Sequence, residues 1–416
     1  MSKLVIAFCS LNLLSIFSSD VYGASEIGSD PVLVHADCAE EPAKRKLSPS
    51  HLSTDRKFEI LAEKLDYLTA CADELSCGCS HINAESQRYL QSALTGFFAS
   101  ADFLYWQADE DKLDYAINFQ GGFGDSQLLN DKLAGLNFDW DPGFRVAIGG
   151  TSCDCDHWGI FLNYTQIRNK AHGSIHLSQP SQTNLLFPTW DQILLGVITE
   201  GGHARWHVDY STEHLEAYKD YFVGRHFIVR PHMGLVNANI NQEYHVNYDL
   251  LPTISANISQ SKMRAKCNYW GLGVGGGADV LWHFTPHFGI YGELSAGILY
   301  GKFNVHRNGD SVLPNNANTG NPFSFHFKKE MWRTRATMQT ALGLEWETIF
   351  NRDRNRIAIS LGYEFNVWFQ QNQFVSSLHN ADNNIAGIKN APTVVYDFAD
   401  ADLAFKGGTL RATINF

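Results

Sequence analysis

Arg356-Ile357-Ala358-Ile359-Ser360-Leu361-Gly362-Tyr363-Glu364-Phe365-Asn366-Val367-Trp368-Phe369 alternates almost without fault. Ile357, Ile359, Leu361, Tyr363, Phe365, Val367 and Phe369 fall on one face, and Arg356, Ala358, Ser360, Gly362, Glu364 and Asn366 on the other. A period of two is that of a β-strand. Strands of soluble sheets usually run about 5–6 residues, and an apolar face kept in phase for so long suits a strand crossing a bilayer at a tilt. Trp332–Glu347 repeats the pattern, with Trp332, Ala336, Met338, Leu342, Leu344 and Trp346 opposite Arg333, Arg335, Gln339, Gly343, Glu345 and Glu347. The last eight residues set Leu410, Ala412, Ile414 and Phe416 against Thr409, Arg411, Thr413 and Asn415.

The aromatic residues give an independent check. Trp270 and Trp282, Phe288 and Tyr300, and Trp332 and Trp346 each share a parity, at separations of 12, 12 and 14 residues. Twelve residues at about 3.3 Å, tilted by about 40°, rise roughly 30 Å. That is near the height of an apolar band edged by two aromatic girdles.

Working outward, the alternation predicts strands near 97–107, 143–151, 158–168, 203–219, 226–246, 263–283, 287–305, 329–349, 355–371 and 403–416. The links alternate between long (108–142, 169–202, 247–262, 306–328, 372–402) and short (near Cys153–His157, Asp220–Arg225, Thr285–Pro286 and Asn351–Arg354). Short periplasmic turns and long outer loops are the habit of outer-membrane barrels. The expected fold is therefore all-β, a transmembrane antiparallel β-barrel of about ten strands (10–12) over 96–416. The strands at 203–246 lose phase near Thr212–Leu215 and Val236–Ala238, which reads as a bulge in each.

Ahead of the barrel, Met1–Gly23 has Lys3 followed by the apolar run Leu4–Phe17 and reads as a secretory signal peptide. Residues 24–50, with Pro31, Pro42 and Pro49, read as a linker. Within 51–95, Phe58, Leu61, Leu65, Leu68, Ala72 and Leu75 form a short heptad seam, the basis for expecting a periplasmic helical segment. That seam could join subunits or lie across the barrel mouth.

Composition removes other classes. The 416 residues are 44% hydrophobic, 13% aromatic and 18% charged, which excludes a disordered chain. No apolar run reaches the 20 or so residues of a spanning helix. A net charge of -12 makes nucleic acid an unsuitable partner.

Trp206-His207-Val208-Asp209-Tyr210, Tyr221-Phe222-Val223-Gly224, Val229-Arg230-Pro231-His232-Met233-Gly234-Leu235 and Ile240-Asn241-Gln242-Glu243-Tyr244 resemble the major outer membrane proteins of Legionella and of chlamydia-like bacteria. Ala101-Asp102-Phe103-Leu104-Tyr105-Trp106, Asn268-Tyr269-Trp270-Gly271 and Gly407 to Phe416 are similar to that family's other landmarks. The resemblance implies a porin-like barrel, abundant at the surface of a Gram-negative outer membrane. It also implies that the terminal Phe416 is a signal to the barrel-assembly machinery, and that cysteines cross-link neighbouring molecules.

Gly271-Leu272-Gly273-Val274-Gly275-Gly276 fits G-x-G-x-x-G, but it lies inside a strand rather than between strand and helix, so it reads as small residues in a crowded wall. Cys77-Gly78-Cys79-Ser80-His81 and Cys153-Asp154-Cys155-Asp156-His157 share the spacing C-x-C-x-H. Zinc, disulfides and inert thiols are all open to these residues, and an oxidising compartment favours disulfides. The mature candidates are Cys38, Cys71, Cys77, Cys79, Cys153, Cys155 and Cys267, an odd number that leaves one free or bonded between chains.

By parity, Arg145, Arg230, Arg333, Arg335, Arg356 and Arg411, with Asp102, Asp209, Asp279, Glu293, Glu345, Glu347 and Glu364, face the lumen. They make either a charged constriction or a salt-bridged filling. No nucleophile elbow is present, and no cofactor or metal is expected. The sequence thus points to a porin passing small hydrophilic solutes without turnover, surrounded by outer-membrane lipid and able to form homo-oligomers. The alternative is a non-conducting structural or adhesive surface protein tied to envelope partners by disulfides.

Overall fold

The computed structural model describes residues 96–120, 132–152, 158–178, 184–190, 199–223, 226–250, 260–312, 323–350, 355–380 and 393–416. All belong to one of the chain's two compact units, Glu74–Phe416. The signal peptide, linker and heptad segment lie outside the described residues, as do Cys38, Cys71, Cys77, Cys79, Cys153 and Cys155.

In chain order the strands are β1 (Gly96–Glu110), β2 (Ala116–Gln120), β3 (Lys132–Ala134), β4 (Asn137–Phe138), β5 (Trp140–Thr151), β6 (Trp158–His176), β7 (Asn184–Pro188), β8 (Thr199–Lys219), β9 (Tyr221–Val223), β10 (Phe227–Leu250), β11 (Gln260–His283), β12 (Phe288–Val312), β13 (Phe323–Phe350), β14 (Asn355–Asn372), β15 (Val375–Asn380), β16 (Thr393–Phe398) and β17 (Ala401–Asn415). Ten of them close a ring of antiparallel neighbours, β1-β5-β6-β8-β10-β11-β12-β13-β14-β17 and back to β1. The seam between first and last strands is tied by Phe97 and Phe416, each donating its backbone N–H to the other's carbonyl at 3.0 and 2.9 Å. Closure removes the edges that an open sheet would leave unpaired. The ten expected strands are all present. The last long connection also contains a hairpin, β15–β16, that forms its own two-stranded sheet.

The outer face carries the two girdles. Trp270, Tyr300 and Trp332 are exposed near one level, Trp282, Phe288 and Trp346 near the other, with Leu272, Val274, Leu294, Ile298, Leu342 and Leu344 between them. Tyr105 stacks on Trp140 and Tyr300 on Trp332 in the upper girdle, at centroid separations of 5.7 and 5.4 Å. The Thr285–Pro286 turn and the carboxyl end share the lower rim, which is the periplasmic one.

Most of the strands are longer than expected, and the extra length lies chiefly on the extracellular side. There the apolar parity inverts. On β8 the exposed outward residue near the bilayer is Leu215, while higher up Trp206, Val208 and Tyr210 point inward and are buried. On β10 Met233 is exposed, whereas Ile240, Tyr244, Val246 and Tyr248 are buried inside. The expected bulges are absent: β8 pairs with β10 in one register from His232↔Tyr218 to Asp249↔Gly201. The loss of phase marks where the strand leaves lipid. Below that height the outside is the apolar side; above it water wets the outside and the inside becomes the core.

Candidate functional site: the lumen

The lumen is built in two storeys. In the lower one, Arg145 on β5 donates to both Glu364 oxygens at 3.0 and 2.8 Å and to Asp102 at 3.2 Å, with Thr165 Oγ1 at 3.1 Å from its Nε. Arg411 joins Asp102 to Glu293. Arg356 joins Glu345 to Glu347, and His283 reaches Glu347 at 2.8 Å. Arg230 grips Asp220 through two bonds of 2.6 and 3.1 Å. Glu216 lies between His214 and His232, and His232 also approaches Asp279 at 3.5 Å. Arg145 is only 4% exposed, and a buried guanidinium is tolerable only with this density of partners. A cavity of about 220 Å³ remains among these groups, lined by Asp102, Arg145, Arg230, Glu293, Glu345, Arg356 and Arg411.

The upper storey is aromatic. Trp106, Trp206, Tyr210, Tyr244, Tyr269, Phe303, Trp368, Phe374 and Phe405 are all fully buried. Tyr210 packs against Phe405 at 4.6 Å and Trp368 at 6.0 Å, and Trp190 and Phe374 pack on Tyr244 above them. These rings begin at the height of the upper girdle, since buried Tyr269 precedes exposed Trp270. They crowd the lumen above the charged cavity.

Most of the charged residues expected to face the lumen lie inside the ring. Arg145, Arg230, Glu293, Glu345, Glu364, Arg356 and Arg411 meet in the lower storey. Arg333 and Arg335 do not join them. Arg335 lies over the Phe303 ring at 4.9 Å in the aromatic storey, and Arg333 pairs with Asp400 at 3.1 Å under the last connection. Asp209 faces outward and pairs with Arg168 at 3.1 Å, both side chains open to solvent. Its parity was counted across a bulge that is not there. Cys267 carries a free thiol, buried in the upper storey.

What the sequence missed is the aromatic storey. Its signal is the change of apolar parity within one strand. The glycine motif does lie in the wall: a Cβ at Gly271 would fall 2.1 Å from the Tyr269 hydroxyl, so the ring lies flat over bare backbone. Among the described residues no His, Cys, Asp and Glu group is arranged to hold a metal ion.

Residues 92–415 match the sequence profile of the Legionella pneumophila major outer membrane protein precursor. No curated protein sequence matches. Among solved structures, the outer membrane protease OmpT of Escherichia coli aligns with a TM-score of 0.38 and 9% identity, over 78% of this chain and 97% of that one. Ail, the attachment invasion locus protein of Yersinia pestis, gives 0.21 and 10%, over 77% and 99%. OprG of Pseudomonas aeruginosa gives 0.22 and 9%, over 77% and 98%.

Proposed function

This chain belongs to the family of the Legionella pneumophila major outer membrane protein, and from that premise we propose that it is an outer-membrane porin for small hydrophilic solutes whose passage is limited by the aromatic storey. The observation that carries the reading is the charged cavity. Both signs of charge surround about 220 Å³ inside a membrane wall. Filling alone would be met more cheaply by apolar side chains, because buried ion pairs contribute little net stability. Water and small ions among fixed charges of both signs are the ordinary content of a narrow selective pore. The proposal has no chemical step and needs no cofactor.

The rings above the cavity make the passage narrow. Purified full-length protein in planar bilayers should give small ohmic steps, and Trp368→Ala should enlarge them several-fold. If wild-type protein and this variant both leave the bilayer tight, the transport reading fails.

A second reading has its own support. Asn366 donates to the Tyr210 hydroxyl at 3.1 Å between opposite walls of the ring, as in a barrel that is filled and only displays its loops. On that reading Cys38, Cys71, Cys77, Cys79, Cys153 and Cys155 would tie it to envelope neighbours. A ladder of multimers on non-reducing gels, collapsed by thiol, distinguishes it.

A further inference from the structure

The outward face above the upper girdle carries a charge pattern that neither storey of the lumen uses. Cross-strand registers align residues of six adjacent strands, β6, β8, β10, β11, β12 and β13, into rows. One row reads Lys170, His207, Glu243, Lys266, His306, Lys328. The next row outward reads His172, Arg205, His245, Arg264, Asn308, His326. Together they hold five Lys or Arg, five His, one Asn and a single carboxylate, in a chain of net charge -12.

That carboxylate is heavily shared. Glu243 is approached by Lys266 at 3.0 Å, His245 at 3.0 Å, His207 at 3.4 Å and Arg264 at 3.7 Å. One row below, Glu330 serves both Lys302 and Lys328. Like charges in register across strands destabilise a sheet, so the rows ask for an outside partner.

Position identifies the partner. Lys266 lies four residues beyond Trp270, about 13 Å along the strand and roughly 10 Å above the girdle. The six strands present a wall about 24 Å wide that faces sideways, along the membrane plane. The neighbours at that height are the headgroups of the outer leaflet. We propose that this wall binds the phosphate-bearing sugar headgroups of outer-leaflet glycolipid, with Arg264 and Lys266 in its middle on β11 and Lys328 at its β13 edge. Basic side chains beside an anionic membrane surface act additively and are screened by salt.

The test uses full-length protein in phosphatidylcholine nanodiscs containing lipid A with both phosphates, or lipid A with the phosphates removed. Wild-type protein should retain the phosphorylated form preferentially, less so as salt rises. Arg264→Glu combined with Lys266→Glu and Lys328→Glu should weaken retention about tenfold or more, while Lys132→Glu, outside the rows, should not. These positions are on the outer surface, and the heat-induced mobility shift of the barrel on gels reports folding. Should the triple variant misfold, Lys266→Gln and Lys328→Gln singly should each still weaken retention a few-fold. Equal retention by wild type and variants, or equal retention of both lipids, overturns the proposal. So does displacement by millimolar inorganic phosphate, which would mark a free-anion site. A variant that loses binding to a sulfated polysaccharide but keeps its lipid overturns it as well.

Discussion

The Asn366 amide and the Tyr210 hydroxyl meet at 3.1 Å, although β14 and β8 are five strands apart whichever way the ring is counted. This hydrogen bond spans the lumen between opposite walls. Trp368 packs edge-on against the same tyrosine, so the two contacts form one crossbar. Replacing Tyr210 by phenylalanine deletes the bond and keeps the ring. This variant should conduct like wild type in planar bilayers, whereas Trp368→Ala should carry several-fold more current.

The charge network below the crossbar makes a stability prediction. Arg145→Met would leave Asp102 and Glu364 facing each other with less cation between them. Removing one partner of a buried pair costs about 3–5 kcal/mol. The urea midpoint of refolded protein should fall accordingly. Arg168→Met removes the solvent-exposed pair with Asp209 and should change the unfolding free energy by no more than about 1 kcal/mol.

Inversion of the apolar face can be read with a membrane-impermeant thiol reagent on intact cells. A cysteine at Asp209 should label rapidly, one at Val208 should be silent inside the upper core, and one at Leu215 should be silent because lipid covers it. Labelling at Val208 in place of Asp209 would mean that the upper register is shifted by one residue.

Gly362 tests how closely rings lie on the wall. A Cβ there would sit 2.1 Å from the Tyr291 hydroxyl. Gly362→Ala should destabilise the barrel by about 1–3 kcal/mol through overpacking. Tyr291→Phe in the same chain should recover part of the loss, since the hydroxyl is the nearest atom.

How much of this was legible follows from how far one solvent arrangement extends along a strand. Residues 356–369 lie almost wholly beside lipid, and their alternation gave the correct faces for Leu361, Tyr363 and Glu364. Trp270 and Trp282 marked both girdles because amphipathic rings settle where bilayer meets water. Asp209 was misplaced because the rule linking apolar to outward reverses partway along β8. Arg333 and Arg335 were read as lumen-facing from parity alone, and alternation does not encode which storey they occupy. The crossbar was not legible, since it joins residues 156 positions apart.

The reversal of faces along β8 and β10 has a consequence for how the chain tolerates change. An aspartate in place of Leu215 would be driven into hydrocarbon, yet an aspartate already sits at 209, six residues away on the same side, and is at home there. On the opposite side the tolerances swap: a carboxylate at 216 is welcome, and one at 208 would split the aromatic stack. A single ribbon of backbone therefore obeys two contradictory grammars, and a map of permitted substitutions along it would locate the waterline without any lipid being observed.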